Sequence, residues 1–240
     1  MRKLLALFYL VIAPLSVWGA FPPPFIHQFF TTNVSAGGIP SNTIVVHGPI
    51  KGSRMYQGTT GLTNAFWALT NYDVMTIGPG TYTFKAFKNT TFAYDLYSGG
   101  LQIGRTNDTA GIHDIEIRGH AAVLRTTNYG TMLSMCAVSN VNISGLTFAY
   151  VETASGSITN YTNASWSIEG AIATATNRAG ATVNNVVVDD CKFYDMPDQG
   201  IMFLYGGAHD SHVRNCYFNH LGAHKAFGGG TGADGSCISG

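Results

Sequence analysis

The chain has 240 residues, of which 11% are charged, and its 13 basic residues are balanced by 13 acidic ones. That balance removes the electrostatic basis for nucleic-acid binding, and the length suits one domain with a core of its own. The 29 glycines, with charge far below the roughly 25% of ordinary domains, point to turns and stacked uncharged strands.

At the N-terminus, Arg2 and Lys3 precede an apolar stretch from Leu4 to about Trp18, followed by the small residues Gly19 and Ala20. This pattern predicts a secretory signal over residues 1–20 and a secreted mature protein. A membrane span needs about 20 apolar residues, and this stretch is short and broken by Pro14, so no span is expected in the mature chain. Residues 21–57 read as an extended segment rich in Pro, Thr, Asn and Gly, and residues 58–240 as a single β domain.

Residues 61–69, Gly-Leu-Thr-Asn-Ala-Phe-Trp-Ala-Leu, read as a short amphipathic helix, and Val74 to Phe84 as a strand interrupted by Gly78-Pro79-Gly80. A phrase then recurs four times, beginning at Asp114, Asn140, Asn185 and Asp210. Each copy holds a short strand and a bend residue: Gly119, Gly145, Asp190 and Asn215. These residue types tolerate a left-handed backbone. After the bend, the last three copies continue as Leu146-Thr147-Phe148, Cys191-Lys192-Phe193 and Cys216-Tyr217-Phe218.

Between the copies stand apolar strands led by Gly130, Gly170, Gly200 and Gly235. The connection from glycine to the next repeated aliphatic residue is 13 residues from Gly130 to Ile143, 18 from Gly170 to Val188 and 13 from Gly200 to Val213. The return connection varies more, as expected of a stacked-repeat chain whose loops grow on one side. Cys191 and Cys216 occupy equivalent places and are expected to stack inside as free thiols, not as a bridge. The chain stops at Ser239-Gly240, within the strand that Gly235 begins, which predicts a domain incomplete at its C-terminal end.

The helix, the strand ending in Pro79-Gly80-Thr81-Tyr82 and the ordered repeats together resemble the pectate-lyase-like family over roughly residues 58–240. The resemblance implies an all-β, right-handed parallel β-helix, a solenoid in which the helix caps the N-terminal end. It implies a carbohydrate ligand, either a polysaccharide that is cleaved or a surface glycan that is bound. The alternative is a non-catalytic adhesin, spike or structural solenoid, since one fold hosts many functions.

Three carboxylates stand just before the glycine-led strands: Glu169, Asp198 and Asp234. On strands about 4.8 Å apart, Glu169 and Asp234, two levels apart at about 9.6 Å, fall near the upper end of the separation used by inverting glycosidases, and Asp198 with either neighbour falls near that of retaining ones. One would protonate the leaving oxygen and another would activate water or attack. A lyase reading instead draws its base from His224 or Lys225, with a Ca²⁺ ion held by Asp195 and Asp198. Tyr194, Tyr205 and His220 are the substrate-binding candidates, and Tyr217 joins the two tyrosines as a side chain able to present a flat face to sugars. Asp190 reads as a bend residue. Asp189 aligns with Arg118, Ser144 and Arg214 in an outward column without shared chemistry.

Overall fold

The computed structural model describes residues 38–85, 100–104, 111–126, 131–150, 170–175, 182–196, 199–203, 208–219, 221 and 238–239. The elements are β1 (Thr43–His47), β2 (Arg54–Gln57), α1 (Gly58–Trp67), β3 (Val74–Ile77), β4 (Gly80–Phe84), β5 (Leu101–Ile103), β6 (Ile112–Thr126), β7 (Leu133–Cys136) and β8 (Val138–Tyr150). They continue with β9 (Gly170–Ala175), β10 (Val183–Asp189), β11 (Lys192–Tyr194), β12 (Gln199–Phe203), β13 (Ala208–His209), β14 (His212–Arg214), β15 (Tyr217–Asn219) and β16 (Ile238–Ser239). The class is all-β, with α1 the one helix among the described residues.

Two sheets organise the strands. The larger runs β13-β10-β8-β6-β3-β1-β2, with β4, β11, β14 and β15 paired alongside, and the smaller runs β16-β12-β9-β7-β5. Beyond the antiparallel pairings of β1 with β2 and β3, every pairing among the described residues is parallel. From β5 onward the chain alternates between the sheets and extends each of them on every pass.

Side-chain columns explain the register. Met75, Ile117, Ile143, Val188 and Val213 face one another across successive strands. Beside them, Tyr82, Leu124, Phe148, Phe193 and Phe218 form a second column. Its phenylalanine rings stack at 5.1 Å and 4.8 Å with planes 4° and 8° apart. From Met75 to Val188 and from Tyr82 to Phe193 these residues are wholly buried, each such side chain contributing about 1.5–3 kcal/mol. In the smaller sheet, Leu101, Leu133, Ile172, Ile201 and Ile238 align in the same way.

The bends are where the sequence places them in three copies and displaced in the first. Gly145, Asp190 and Asn215 have φ of 66°, 49° and 53°. In the first copy the left-handed residue is Ala121, φ 52°, not Gly119. The pairing is irregular between Arg118 and Ala122, so three residues there stand opposite Gly145 alone. A second bend column, absent from the sequence reading, consists of Asp114, Asn140, Asn185 and Asp210, with φ of 57°, 54°, 49° and 51°. Its amides bond between levels: Asn140 Nδ2 donates to Asp114 Oδ1 at 3.0 Å and Asn185 Nδ2 to Asn140 Oδ1 at 2.9 Å.

One of two compact units spans Gly38–Gly240. The segment expected to be extended up to position 57 contains the paired strands β1 and β2, and β1 also pairs with β3, with Ile44 opposite Ile77 and Val46 opposite Met75. Ile44 and Val46 supply inward apolar residues that a reading by composition overlooks. Helix α1 buries Leu62, Ala65 and Phe66 and packs on β1, β2, β4 and β5. An ion pair fastens this end: Asp73, fully buried, accepts from Arg54 Nη2 at 2.6 Å and from the Thr70 backbone at 2.7 Å.

Candidate functional site

Strand alternation turns every second residue of β4, of the second halves of β6 and β8, of β11 and of β15 outward. The register gathers these residues into two columns. The first is Thr81, Val123, Thr147, Lys192 and Tyr217, and the second is Thr83, Arg125, Ala149, Tyr194 and Asn219. Tyr217 is 50% exposed, Tyr194 is half-buried, and Arg125 and Lys192 are exposed. The two tyrosine rings lie 5.8 Å apart at 51°, and Asn219 Nδ2 donates to the Tyr217 hydroxyl at 3.1 Å.

Neither column contains a carboxylate. The small Thr147 and Ala149 lie between Val123 and Arg125 on one side and Lys192 and Tyr194 on the other. Larger side chains flank these two, Ala149 being buried and Thr147 half-buried. Aromatic faces, cations, hydroxyls and an amide on one surface suit a hydroxylated ligand with apolar C–H faces.

The adjacent outward columns differ in their electrostatics. Arg118 donates twice to Glu116, at 2.6 and 2.7 Å, and Arg214 pairs with Asp189 at 3.1 Å. Asn215 Nδ2 adds a bond to Asp189 at 2.9 Å. The aligned column Arg118, Ser144, Asp189 and Arg214 is as the sequence places it. Its arginines are each paired, Arg214 with Asp189 inside the column and Arg118 with Glu116 beside it.

Of the site residues named from sequence, Tyr194 lies in the tyrosine-bearing face. Asp195 follows it at a bend with φ 56°, and its backbone N–H donates to Asn219 at 3.1 Å. Glu169, Asp198, Asp234, Tyr205, His220, His224 and Lys225 lie outside the described residues. The glycine register behind the carboxylate column is displaced by one place between β9 and β12: Gly170 faces Gln199 and not Gly200. Ile172 packs opposite Ile201, and a glycine has no side chain with which to resist that alignment. Among the described residues no group of three or more His, Cys, Asp or Glu side chains is placed to hold a metal ion.

Sequence reasoning singled out Tyr194 and grouped it with Tyr217, but gave no place to Arg125 or Lys192. The signal was present in the repeats, because Lys192 is the variable residue of its copy. Reading it required the register of β6 as well, and the irregularity after Arg118 hides that register in the sequence.

Cys191 and Cys216 are both free thiols, Cys191 buried and Cys216 half-buried. The neighbouring Cys191 thiol stabilises the Cys216 thiolate and brings Cys216 down to about 7 against the opposing effect of burial. Its interaction with Cys216, together with its own burial, pushes Cys191 up.

No family model matches this chain, and neither a curated protein nor a solved structure matches it.

Proposed function

We propose that this chain is a secreted right-handed parallel β-helix of the pectate-lyase-like kind, and that it binds a polysaccharide along the tyrosine-bearing face. The helical path is supported by parallel registers that advance one strand per pass in both sheets. Its hand follows from the right-handed rule for parallel crossovers. The observation that carries the binding role is the Tyr194–Tyr217 pair at 5.8 Å, with Lys192 opposite Tyr217 and Arg125 two strands from Tyr194 on the same face.

A sugar ring placed on these tyrosines would bury its C–H face against them and leave its hydroxyls to Asn219, Thr147 and the cations. Strands about 4.8 Å apart extend the face past the tyrosines through Lys192, Thr147 and Arg125, a length that suits a polymer better than a single small molecule. No covalent step follows from these groups, so the reading is of binding.

Affinity electrophoresis or calorimetry of the full chain against neutral and uronate-containing polysaccharides tests it. Wild type is expected to be retained by at least one polymer. Tyr194→Ala and Tyr217→Ala should each weaken retention about tenfold, equivalent to about 1.4 kcal/mol. Thr83→Ala, on the same face but distant from the pair, should bind as wild type. Absence of retention by every polymer, or unaltered binding in both tyrosine variants, overturns the proposal.

A further inference from the structure

Cys191 and Cys216 directly follow the left-handed residues Asp190 and Asn215, in strands whose register is fixed on both sides. Asp189 faces Arg214 before them, and Lys192 faces Tyr217 after them. Their side chains also repeat. Cys191 Sγ lies 3.9 Å from the carbonyl oxygen of Ile143, and Cys216 Sγ lies 3.6 Å from that of Val188. Ile143 and Val188 are themselves opposite each other one level apart, so both thiols adopt the same orientation.

Two side chains related by a strand-to-strand translation have sulfurs separated by about 4.8 Å. A disulfide needs an S–S bond of about 2.05 Å and a Cβ···Cβ distance of about 3.5–4.5 Å, which parallel Cβ vectors do not supply. A metal–thiolate bond is about 2.3 Å, so an ion held linearly between two sulfurs spans about 4.6 Å. The stacked thiols therefore have the spacing of a bridging ion.

We propose that Cys191 and Cys216 form a two-coordinate thiolate site for a soft monovalent cation of the Cu(I) and Ag(I) class. The setting fits such an ion. Thiolates select soft metals, and the pair is bordered by the stacked Phe193 and Phe218 and by Val188 and Val213, with Asp189 and Asp190 directly preceding Cys191 in the chain. Cys216, half-buried, is the side from which an ion would enter, while Cys191 is fully buried beneath it. Binding forms two metal–sulfur bonds and releases the two thiol protons to solvent, with no change in oxidation state.

The test uses the full chain with Cys136→Ser and Cys237→Ser, which leaves this pair alone, titrated anaerobically with Ag(I) and with Cu(I). One ion per chain is expected, with a thiolate-to-metal absorption band and two sulfur neighbours at about 2.3 Å by X-ray absorption. Adding Cys191→Val or Cys216→Val should abolish the band, while circular dichroism shows the strand content retained. Comparison by melting reports whether either valine variant has lost its fold. Should one have done so, Cys216→Ser, at the half-buried position, replaces it and must also lose the band. A band that survives in the variants, coordination by one sulfur, or recovery of a Cys191–Cys216 disulfide from untreated protein overturns the proposal.

Discussion

Gly145 carries two requirements at one position. Its φ of 66° lies in the left-handed region, and a Cβ there would stand 2.7 Å from the carbonyl oxygen of Gly119. Asp190 and Asn215 meet the first requirement with short polar side chains, and their positions lie farther along the stack. Gly145→Val is expected to destabilise the protein by at least the roughly 1–3 kcal/mol that a strained backbone residue costs. Coincident thermal melts for variant and wild type would show that this backbone is not held as described. The bends at Gly145, Asp190 and Asn215 were legible from residue type. Ala121 was not, because alanine carries no left-handed signal and pairing with β8 imposes its conformation.

Among the elements, the second bend column shows why repetition matters more than propensity. Asp114, Asn140 and Asn185 begin three copies of the phrase, and each one's conformation places its side chain against the next. Asn140, in the middle, donates one bond and accepts another. Asn140→Ala removes both bonds and puts a less tolerant residue at φ 54°. A loss of about 3–5 kcal/mol is expected from two hydrogen bonds at about 1 kcal/mol each plus backbone strain of about 1–3 kcal/mol. Urea unfolding measures it, and a loss below about 0.5 kcal/mol would mean that the ladder contributes nothing beyond solvent exposure. The sequence shows these residues at the start of every copy. It does not show that they bend the chain, since Asn and Asp before a strand are equally at home in an open turn. Helix α1 and the strand at Val74 were legible because their apolar periodicity is local. The hairpin of β1 and β2 was not, because its role depends on pairing with β3.

For the molecule as a whole, stability resides in columns that pass through many strands, so a defect in one level is felt by its neighbours. Phe193 is fully buried between Phe148 and Phe218, and both ring contacts are lost if it is truncated. Phe193→Ala should cost about 3–5 kcal/mol, the range for emptying a buried aromatic site. A chemical-denaturation difference below about 1 kcal/mol would place Phe193 outside the stack. The same columns determine what the surface presents. Tyr194 and Tyr217 meet because Phe193 and Phe218 stack beneath them, which fixes the outward residues on either side.

The sequence by itself determined the all-β class, the repeating phrase, three of the bends and the equivalence of Cys191 with Cys216. Each follows from local residue chemistry or from a period that survives along the chain. Only the tertiary structure decided which residues of different copies face one another. Register is set by side-chain stacking across strands tens of residues apart, so Ile172 on Ile201 moved Gly170 opposite Gln199, and the break after Arg118 aligned Arg125 with Ala149 and Tyr194. A one-residue displacement changes the neighbours of every outward side chain. The candidate face is a property of that register, and for this reason the sequence named its tyrosines without identifying the surface to which they belong.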